Sequence, residues 1–338
     1  MYIKATTVAH PSENIPMFKP VTFLQASYLA PKAISIITLV VGCGYASSNY
    51  AAQPWPGENW EDAVALGSLN SSFSNGDISG AHWNDNTRTL WLCDNSEEVI
   101  WSLSESGETF IIDQSFSGTG DLEGITQGLA DNRVYLIDED NVIRAYDTNS
   151  GEAQLTWNIG QFLPGRGSDN RDGPEGITFI PDNWLAKSDF RNQSGAQFNQ
   201  SQFDLGGIFL VAHQSGGSVY AFDISNSGDV VFIGEYETSA KESSGLEFDR
   251  STGRLYISHN VDGNTLEVTK LSSTATNGHR RFVTTGHFDA PNGSNLEGFA
   301  LTPARSNNGS VNEVWAFWVD DNGNTSDGNA ILWFKNIR

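Results

Sequence analysis

Short apolar runs recur along most of the chain, and each is bounded by a cluster of Gly, Asn, Asp and Ser. Apolar and polar positions tend to alternate within the runs, which is the pattern of strands that bury one face. Frequent Asn-Gly, Asp-Gly and Ser-Gly pairs suit tight hairpin turns, because Gly and Asn tolerate a positive φ. The pattern predicts an all-β protein of many short strands.

A longer unit of four strands recurs five times along the chain. Its first strand carries a Ser-Gly or Glu-Gly step, and its second strand ends in Asp or His. The two marks are fifteen residues apart in units one, two and four, whereas units three and five carry insertions of 23 and eight residues. The steps lie at Ser79, Glu123, Glu175, Ser244 and Glu297, and the second strands end at Asp94, Asp138, His213, His259 and Asp320. A nearly constant spacing of this kind indicates an internal repeat.

The fifth unit shows only three strands, and one further strand, at 62–67, precedes the first unit. A propeller closes its ring by pairing a strand from one terminus with the sheet from the other, which removes an exposed edge. We therefore predict a five-bladed β-propeller over 59–338, closed by an N-terminal strand, with blades starting near 77, 121, 173, 242 and 295. A six-bladed ring would need four more strands, for which the sequence has no segments.

The N-terminal region has the pattern of an export signal. Residues 33–42 form an apolar run after Lys32, too short for a membrane-spanning helix of about 20 residues but as long as a signal-peptide core. The run ends at Cys43, and 40–43 resembles a bacterial lipobox, although Val40 stands where Leu is usual. We predict a signal peptide at 1–43, lipidation of Cys43 and a tether at 44–58. Cleavage near 46–48 and a buried strand at 33–42 are the alternatives.

These features predict a protein exported to the cell envelope, either lipid-anchored in the periplasm or outer membrane or secreted. The net charge is −22, from 41 acidic and 19 basic residues. A polyanion would be repelled from such a surface, so nucleic acid is excluded as a partner. Membrane contact is expected only through an N-terminal lipid.

The Ser-Gly and Glu-Gly steps predict a metal site on the central axis. In a propeller the first strand of each blade lines the channel, so five equivalent residues converge on one ring; this axial ring is Ser79, Glu123, Glu175, Ser244 and Glu297. Three carboxylates in close contact cannot all stay ionised without a cation. Calcium fits, because it takes 6–8 oxygen ligands in a flexible geometry. The alternative is that the glutamates are hydrogen-bonded to backbone amides or water.

The ends of the second strands form another predicted set near one mouth of the channel. This second ring consists of Asp94, Asp138, His213, His259 and Asp320. Two histidines beside three aspartates could supply an acid and a base or hold a second metal. They could equally cap turns, as Asp often does in hairpins.

The ordered series Ser-Gly, Glu-Gly, Glu-Gly, Ser-Gly, Glu-Gly over 77–338 resembles the bacterial SdiA-regulated envelope propellers, and 121–139 is particularly similar to the second blade of that family. The same alternation resembles the axial calcium site of calcium-activated apyrases, and a more distant likeness is to phytase-like esterase propellers. The resemblance implies axial calcium here too. The chain lacks the Lys and Arg cluster of phytases, and His213 and His259 stand where apyrases would have basic residues, which argues against nucleotide hydrolysis.

Three functions remain open from the sequence. The leading one is a calcium-binding envelope propeller that binds a small molecule or an envelope partner at a channel mouth. A calcium-dependent hydrolase of a phosphoester or lactone is the second, with Asp94 or Asp138 activating water and His213 or His259 protonating the leaving group. A carbohydrate-active or carbohydrate-binding propeller is the third. It would need tryptophans exposed at the mouth, whereas packing between blades is their expected role.

Overall fold

The computed structural model describes residues 53–54, 63–69, 77–107, 109–130, 132–165, 172–261, 263–289, 295–303, 305–307, 310–321 and 330–337. These segments form an all-β fold, as the alternation of apolar and polar positions predicts. The predicted signal peptide, its Cys43 and most of the tether at 44–58 lie outside the described residues. No helix in the described segments is long and apolar enough to cross a membrane.

Each sequence unit forms an antiparallel arrangement of consecutive strands. Unit one consists of β3 (Ile78–Asn84), β4 (Thr89–Asp94), β5 (Val99–Ser106) and β6 (Thr109–Ser117). Unit two consists of β7 (Leu122–Thr126), β8 (Arg133–Asp138), β9 (Val142–Asp147) and β10 (Ala153–Asn158). The fifteen-residue spacing in the sequence is therefore the length of the hairpin from the first strand to the end of the second.

Units three and four share one sheet. Unit three consists of β11 (Pro174–Pro181), β12 (Gly207–His213), β13 (Ser218–Ile224) and β14 (Val230–Glu237). Unit four consists of β15 (Gly245–Asp249), β16 (Arg254–His259), β17 (Thr265–Thr276) and β18 (His279–Asp289). Their outer strands β14 and β18 pair in parallel, with Tyr236 opposite Arg280, and the short β1 (Gln53–Pro54) pairs with β18.

The insertion in unit three packs on the outside of this junction. It starts with a helical turn, α2 (Asp182–Leu185), and continues to β12. Phe190 is fully buried, and Tyr236 donates a hydrogen bond to the backbone O of Arg191 at 2.7 Å. The insertion thus stabilises the joined outer strands of units three and four.

Unit five is completed by a strand from the front of the chain. It consists of β19 (Leu296–Leu301), β21 (Ser310–Asp320) and β22 (Ile331–Ile337), with β20 (Arg305–Asn307) paired to β21. The strand expected at 62–67 is present as β2 (Val64–Ala65), which pairs antiparallel with β22, and it continues into the helical turn α1 (Leu66–Leu69). Two residues thus pair where the sequence pattern predicts six, because the chain turns helical at Leu66.

The first strands β3, β7, β11, β15 and β19 contact one another in that order, and β19 contacts β3. Apolar side chains fill the spaces between neighbouring sheets. Trp157, Trp318 and Trp333 are fully buried, and the Trp315 and Trp333 rings pack edge to face at 4.9 Å. The expectation that these tryptophans pack between sheets is confirmed for the buried ones.

Candidate metal centre

The first strands present their Ser-Gly and Glu-Gly steps on β-bulges. The pairing register shifts between Ile78 and Gly80, Leu122 and Gly124, Pro174 and Gly176, and Leu296 and Phe299. A bulge inserts one unpaired residue and redirects its side chain. Each shift falls on a member of the axial ring. In unit four Ser244 precedes β15, and its backbone N–H donates to the O of Ser258 at 2.9 Å.

The glycine after each bulge allows the five strands to approach closely. A Cβ on Gly80 would lie 2.9 Å from the Cα of Gly124, and one on Gly176 would lie 2.8 Å from the Cα of Gly245. Backbone this close leaves no space for a side chain, which is a recognised reason for glycine inside a strand. We call these residues the glycine ring: Gly80, Gly124, Gly176, Gly245 and Gly298.

The bulges bring three buried carboxyl groups together. One oxygen from each of Glu123, Glu175 and Glu297 lies within 4.8 Å of the others. The three side chains are 5%, 3% and 2% exposed, so water does not screen their charges. Ser79 and Ser244, the serine members of the axial ring, are fully buried on the same strand positions.

The hydrogen bonds to these glutamates come from side-chain amides. Asn95 donates to Glu123 Oε1 at 3.3 Å, and Asn295 and Asn260 donate to Glu297 Oε1 at 2.8 and 3.3 Å. A neutral amide offers a dipole but no charge that would offset a buried carboxylate.

Burial and the other carboxylates raise the pKa of every acid in the cluster. The pKa of Glu123 rises to about 8, because the group is desolvated and lies near Asp321 and Asp121. The pKa values of Glu175 and Glu297 lie well above their ordinary value for the same two reasons. Without a cation, protons would have to neutralise this cluster near neutral pH.

Two buried polar atoms of the axial ring have no hydrogen-bond partner among the described residues. They are Glu297 Oε2 and Ser244 Oγ. An unpaired buried oxygen is costly unless an ion or water satisfies it. Calcium–oxygen distances of about 2.3–2.6 Å place the ligands of one ion at most about 5 Å apart, so three carboxylate oxygens that lie within 4.8 Å of one another suit a calcium ion bound between the glutamates.

Five polar residues each follow a second-ring residue by one position, and four of them, all except Gln214, interact with members of the axial ring. This mouth tier is Asn95, Glu139, Gln214, Asn260 and Asp321. Asp321 Oδ1 accepts a hydrogen bond from Ser79 Oγ at 3.2 Å, and burial together with Asp77 raises the pKa of Asp321 to about 7. Sequence reasoning missed this tier, although all five positions carry a polar side chain.

Among the second-ring residues, three make turn contacts. Asp94 Oδ1 accepts from the N–H of Glu97 at 2.8 Å, Asp138 Oδ1 accepts from the N–H of Asp140 at 2.7 Å, and His213 Nδ1 accepts from the N–H of Ser215 at 3.0 Å. These bonds are the turn caps that the sequence offered as the alternative to catalysis.

The other two second-ring residues bond to backbone groups 17 and 25 residues away in the sequence. His259 Nδ1 donates to the O of Glu242 at 2.7 Å, and Asp320 Oδ1 accepts from the N–H of Asn295 at 3.2 Å. Burial lowers the pKa of His213 to about 4, so this histidine is neutral at pH 7. The contacts of Asp94, Asp138, His213 and His259 described above all lead to other residues and do not join one ring member to another.

Comparison with known proteins supports the family resemblance over part of the chain. Residues 68–185 match the model of the family described as SdiA-regulated, a segment that contains units one and two and β11. No curated protein matches the sequence.

Two solved structures are similar at low identity. Glutaminyl cyclase of Myxococcus xanthus is 11% identical with a TM-score of 0.47, over 78% of this chain and 90% of that chain. Hydrazine synthase of Kuenenia stuttgartiensis is 12% identical with a TM-score of 0.40, over 85% of this chain and 68% of that chain.

Proposed function

We propose that this protein is a five-bladed β-propeller that binds calcium on its axis and a ligand at a channel mouth. The five antiparallel units would be the blades, and the β2–β22 pair would close the ring. The cyclic contacts of the five first strands support this blade count.

The observation that carries the calcium proposal is the buried cluster of Glu123, Glu175 and Glu297. The charged neighbours that raise their pKa values are themselves carboxylates. A divalent cation is the group that such a cluster can bind most favourably, and carboxylate, hydroxyl and amide oxygens are ligands that calcium prefers. The absence of Cys and His from the axial ring argues against zinc and copper.

The calcium would have a structural role. Its ligands come from separate units and meet only when the ring is assembled, so the ion binds the folded chain and stabilises it by mass action. Additional acids around the mouth, including Asp77 and Asp121, give this end a negative potential that attracts cations.

The hydrogen bonds of the second-ring side chains favour a structural role for the second ring. The hydrolase alternative requires Asp94 or Asp138 to activate water and His213 or His259 to act as an acid. Because the side chains of Asp94, Asp138 and His213 accept from backbone N–H groups of the turns that follow them, we propose that they fix the turns that carry Asn95, Glu139 and Gln214. His259 bonds instead to the O of Glu242, ahead of β15.

Export to the cell envelope is also part of the proposal. It rests on the apolar run at 33–42 and the lipobox-like residues ending at Cys43. An envelope environment would supply the calcium that the axial ring needs.

Thermal unfolding of the full chain tests the calcium proposal. Wild type and the double variant Glu123→Gln/Glu297→Gln are melted with calcium and with a chelator. Calcium should raise the Tm of the wild type alone, because the double variant has lost two of the three carboxylates. Equal melting temperatures with calcium and chelator in the wild type would mean that protons or water satisfy the glutamates, and the proposal would fail.

A further inference from the structure

The axis has a second functional candidate at the end opposite the axial ring. His82 and Glu247 stand three residues beyond Ser79 and Ser244 on β3 and β15, about 10 Å further along the strands. His82 Nδ1 lies 3.2 Å from Glu247 Oε2, and both side chains are 4% exposed. The two strands are not neighbours in a sheet, so this pair joins units one and four across the axis.

The glycine ring separates this pair from the carboxylate cluster. The axis narrows there to a cavity of about 10 Å³, which is about the space of one water molecule. A ligand at the His82 end therefore cannot reach the glutamates of the axial ring through the channel, and the two ends act as separate sites.

His82 and Glu247 line a cavity of about 670 Å³, which we call the far pocket. All five units contribute to its wall, and its volume is within the range of small-molecule sites. The far pocket is much larger than the narrow point above it, so it offers room for a molecule of several carbon atoms.

Charge in the far pocket favours a cation. Asp85, Asp182 and Asp249 line it together with Glu247. Among the described lining residues, Arg250 is the single Lys or Arg. Its guanidinium donates to the backbone oxygens of Gln127 and Gly128, so it is already engaged. The resulting excess of carboxylates would repel an anion.

The far pocket also has an apolar wall. Leu129 on its lining is 54% exposed, although most large apolar side chains of the described residues are buried. Trp184 and Pro181 contribute further apolar surface, and the Trp184 indole is held by a hydrogen bond from Nε1 to the O of Arg250 at 3.1 Å. The Lys187 ammonium already lies over the Trp184 ring, 5.1 Å from its centroid, so the indole offers apolar surface for the body of a ligand, and the carboxylates offer the charge for its cationic group.

We propose that the far pocket binds a small organic amine whose ammonium group pairs with Glu247 beside His82 and whose apolar body packs on Trp184 and Leu129. This inference rests on the part of the proposed function that places a ligand at a channel mouth, and it does not require calcium. It identifies the mouth and the ligand class.

The buried pair is suited to accept such a cation. Burial raises the pKa of Glu247 well above its ordinary value, whereas burial and Arg250 lower the pKa of His82. Both shifts favour the neutral forms of the two groups, and in that state the carboxyl O–H would donate to His82 Nδ1, which lies 3.2 Å from Glu247 Oε2. An ammonium group replaces this proton: the carboxyl O–H bond breaks, the proton leaves to solvent, and the carboxylate pairs with the amine. The other charges facing the pair are those of Asp249 and Arg250.

Titration calorimetry with benzylamine tests the proposal, with benzyl alcohol and benzoate as matched neutral and anionic probes. The full chain should bind benzylamine saturably and about tenfold or more tighter than benzyl alcohol, which corresponds to about 1.4 kcal/mol. Benzoate should not bind. The indole N–H signal of Trp184, assigned with Trp184→Phe, should shift in NMR spectra as benzylamine is added. Equal affinity for the amine and the alcohol, or an unchanged Trp184 signal, would overturn the proposal.

Variants of the acidic residues test which carboxyl group binds the ammonium group of benzylamine. Glu247→Gln should weaken benzylamine binding about tenfold, whereas Asp113→Asn, on the exposed part of β6, should leave it unchanged. Should Glu247→Gln fail to fold, Asp182→Asn on the rim replaces it, with an expected loss of about threefold. If Glu247→Gln folds, an unchanged affinity for benzylamine contradicts the assignment of Glu247 as the partner of the ammonium group. If Glu247→Gln does not fold, an unchanged affinity in Asp182→Asn contradicts the proposed site.

The calcium experiment on the same samples separates the two proposals. Loss of benzylamine binding with a normal calcium-dependent Tm overturns the far pocket alone. A missing calcium effect with normal benzylamine binding overturns the axial ion alone.

Discussion

At one end of the axis three glutamates cluster with one oxygen of each within 4.8 Å of the others, and at the other end one glutamate contacts a histidine at 3.2 Å. The glutamates lie on the first strands β7, β11 and β19, whereas His82 and Glu247 lie on β3 and β15, three residues beyond Ser79 and Ser244. Glu123, Glu175 and Glu297 are surrounded by amides and further acids, whereas Glu247 lies beside His82 with Arg250 near.

The difference shows that the neighbouring groups, and not burial alone, decide how the charge of a buried carboxyl group is neutralised. A single glutamic acid can share its proton with an imidazole and remain neutral. Three clustered glutamates have no base among them, so they require protons or a cation. The same strand geometry thus provides a proposed ion site and a proposed small-molecule site.

The sharpest test of this comparison replaces one glutamate at each end. With saturating calcium, Glu297→Gln should lose about 4 kcal/mol of unfolding free energy, the stabilisation expected at a calcium concentration a thousandfold above Kd. With a chelator, the same variant should equal or exceed the wild type, because one of three repelling carboxyl groups is gone. Urea unfolding measures both values.

Glu247→Gln is the matched control, because it alters a buried glutamate at the other end. Its change in unfolding free energy should be the same with calcium and with chelator. A calcium-dependent effect of Glu247→Gln would mean that the two ends are coupled.

The next largest effect concerns the glycine ring that separates the ends. Gly176→Ala places a Cβ 2.8 Å from the Cα of Gly245, so the strands must move apart at a cost of about 3 kcal/mol, the upper end for overpacking. The calcium-dependent rise in Tm should shrink as well, since the glutamates of the axial ring are carried by the same bulges. Gly165→Ala is the control, because nothing lies within 4 Å of its Cβ position. Equal stability of the two variants would contradict the close approach.

The fold was largely predictable because its signals are periodic. The Ser-Gly and Glu-Gly steps marked the first strands, and the constant spacing to the second strands marked the hairpins. The parallel β14–β18 pair had no such signal, because it depends on how the outer edges of two sheets meet. The short closing strand, two residues instead of six, reflects a local turn that periodicity does not report.

The candidate site was only partly predictable. Equivalent positions on the first strands brought Glu123, Glu175 and Glu297 together as expected. The sequence predicts the second ring near a channel mouth, whereas side chains one position further along the chain, such as Asn95 and Asn260, bond to the axial ring. The bulges were missed too, and they are the reason that residues three apart, such as Ser79 and His82, both reach the axis. Pairs such as His82–Glu247 join distant strands and have no local pattern.

A pH series should show next whether calcium displaces protons at the axial ring. Without calcium, the raised pKa values of Glu123, about 8, and Asp321, about 7, mean that the folded state holds protons that the unfolded state has released. Stability then falls as pH rises from about 4.5 through these values. Calcium replaces the protons, so the calcium-dependent rise in Tm should grow between about pH 5 and pH 8. A rise that is constant across this range would show that no proton is displaced.

The smallest expected effect distinguishes the mouth tier from the second ring. Asp321→Asn should weaken calcium binding about tenfold, because Asp321 accepts from Ser79 and shares Asn295 with Glu297, and loss of such a supporting group typically reduces metal affinity 10–100-fold. Asp94→Asn is the matched control, since the new amide keeps the oxygen that caps the turn at Glu97. Calcium titration by calorimetry should give an unchanged affinity for Asp94→Asn. A larger loss of calcium affinity in Asp94→Asn than in Asp321→Asn would indicate that the second ring, and not the mouth tier, supports the calcium site.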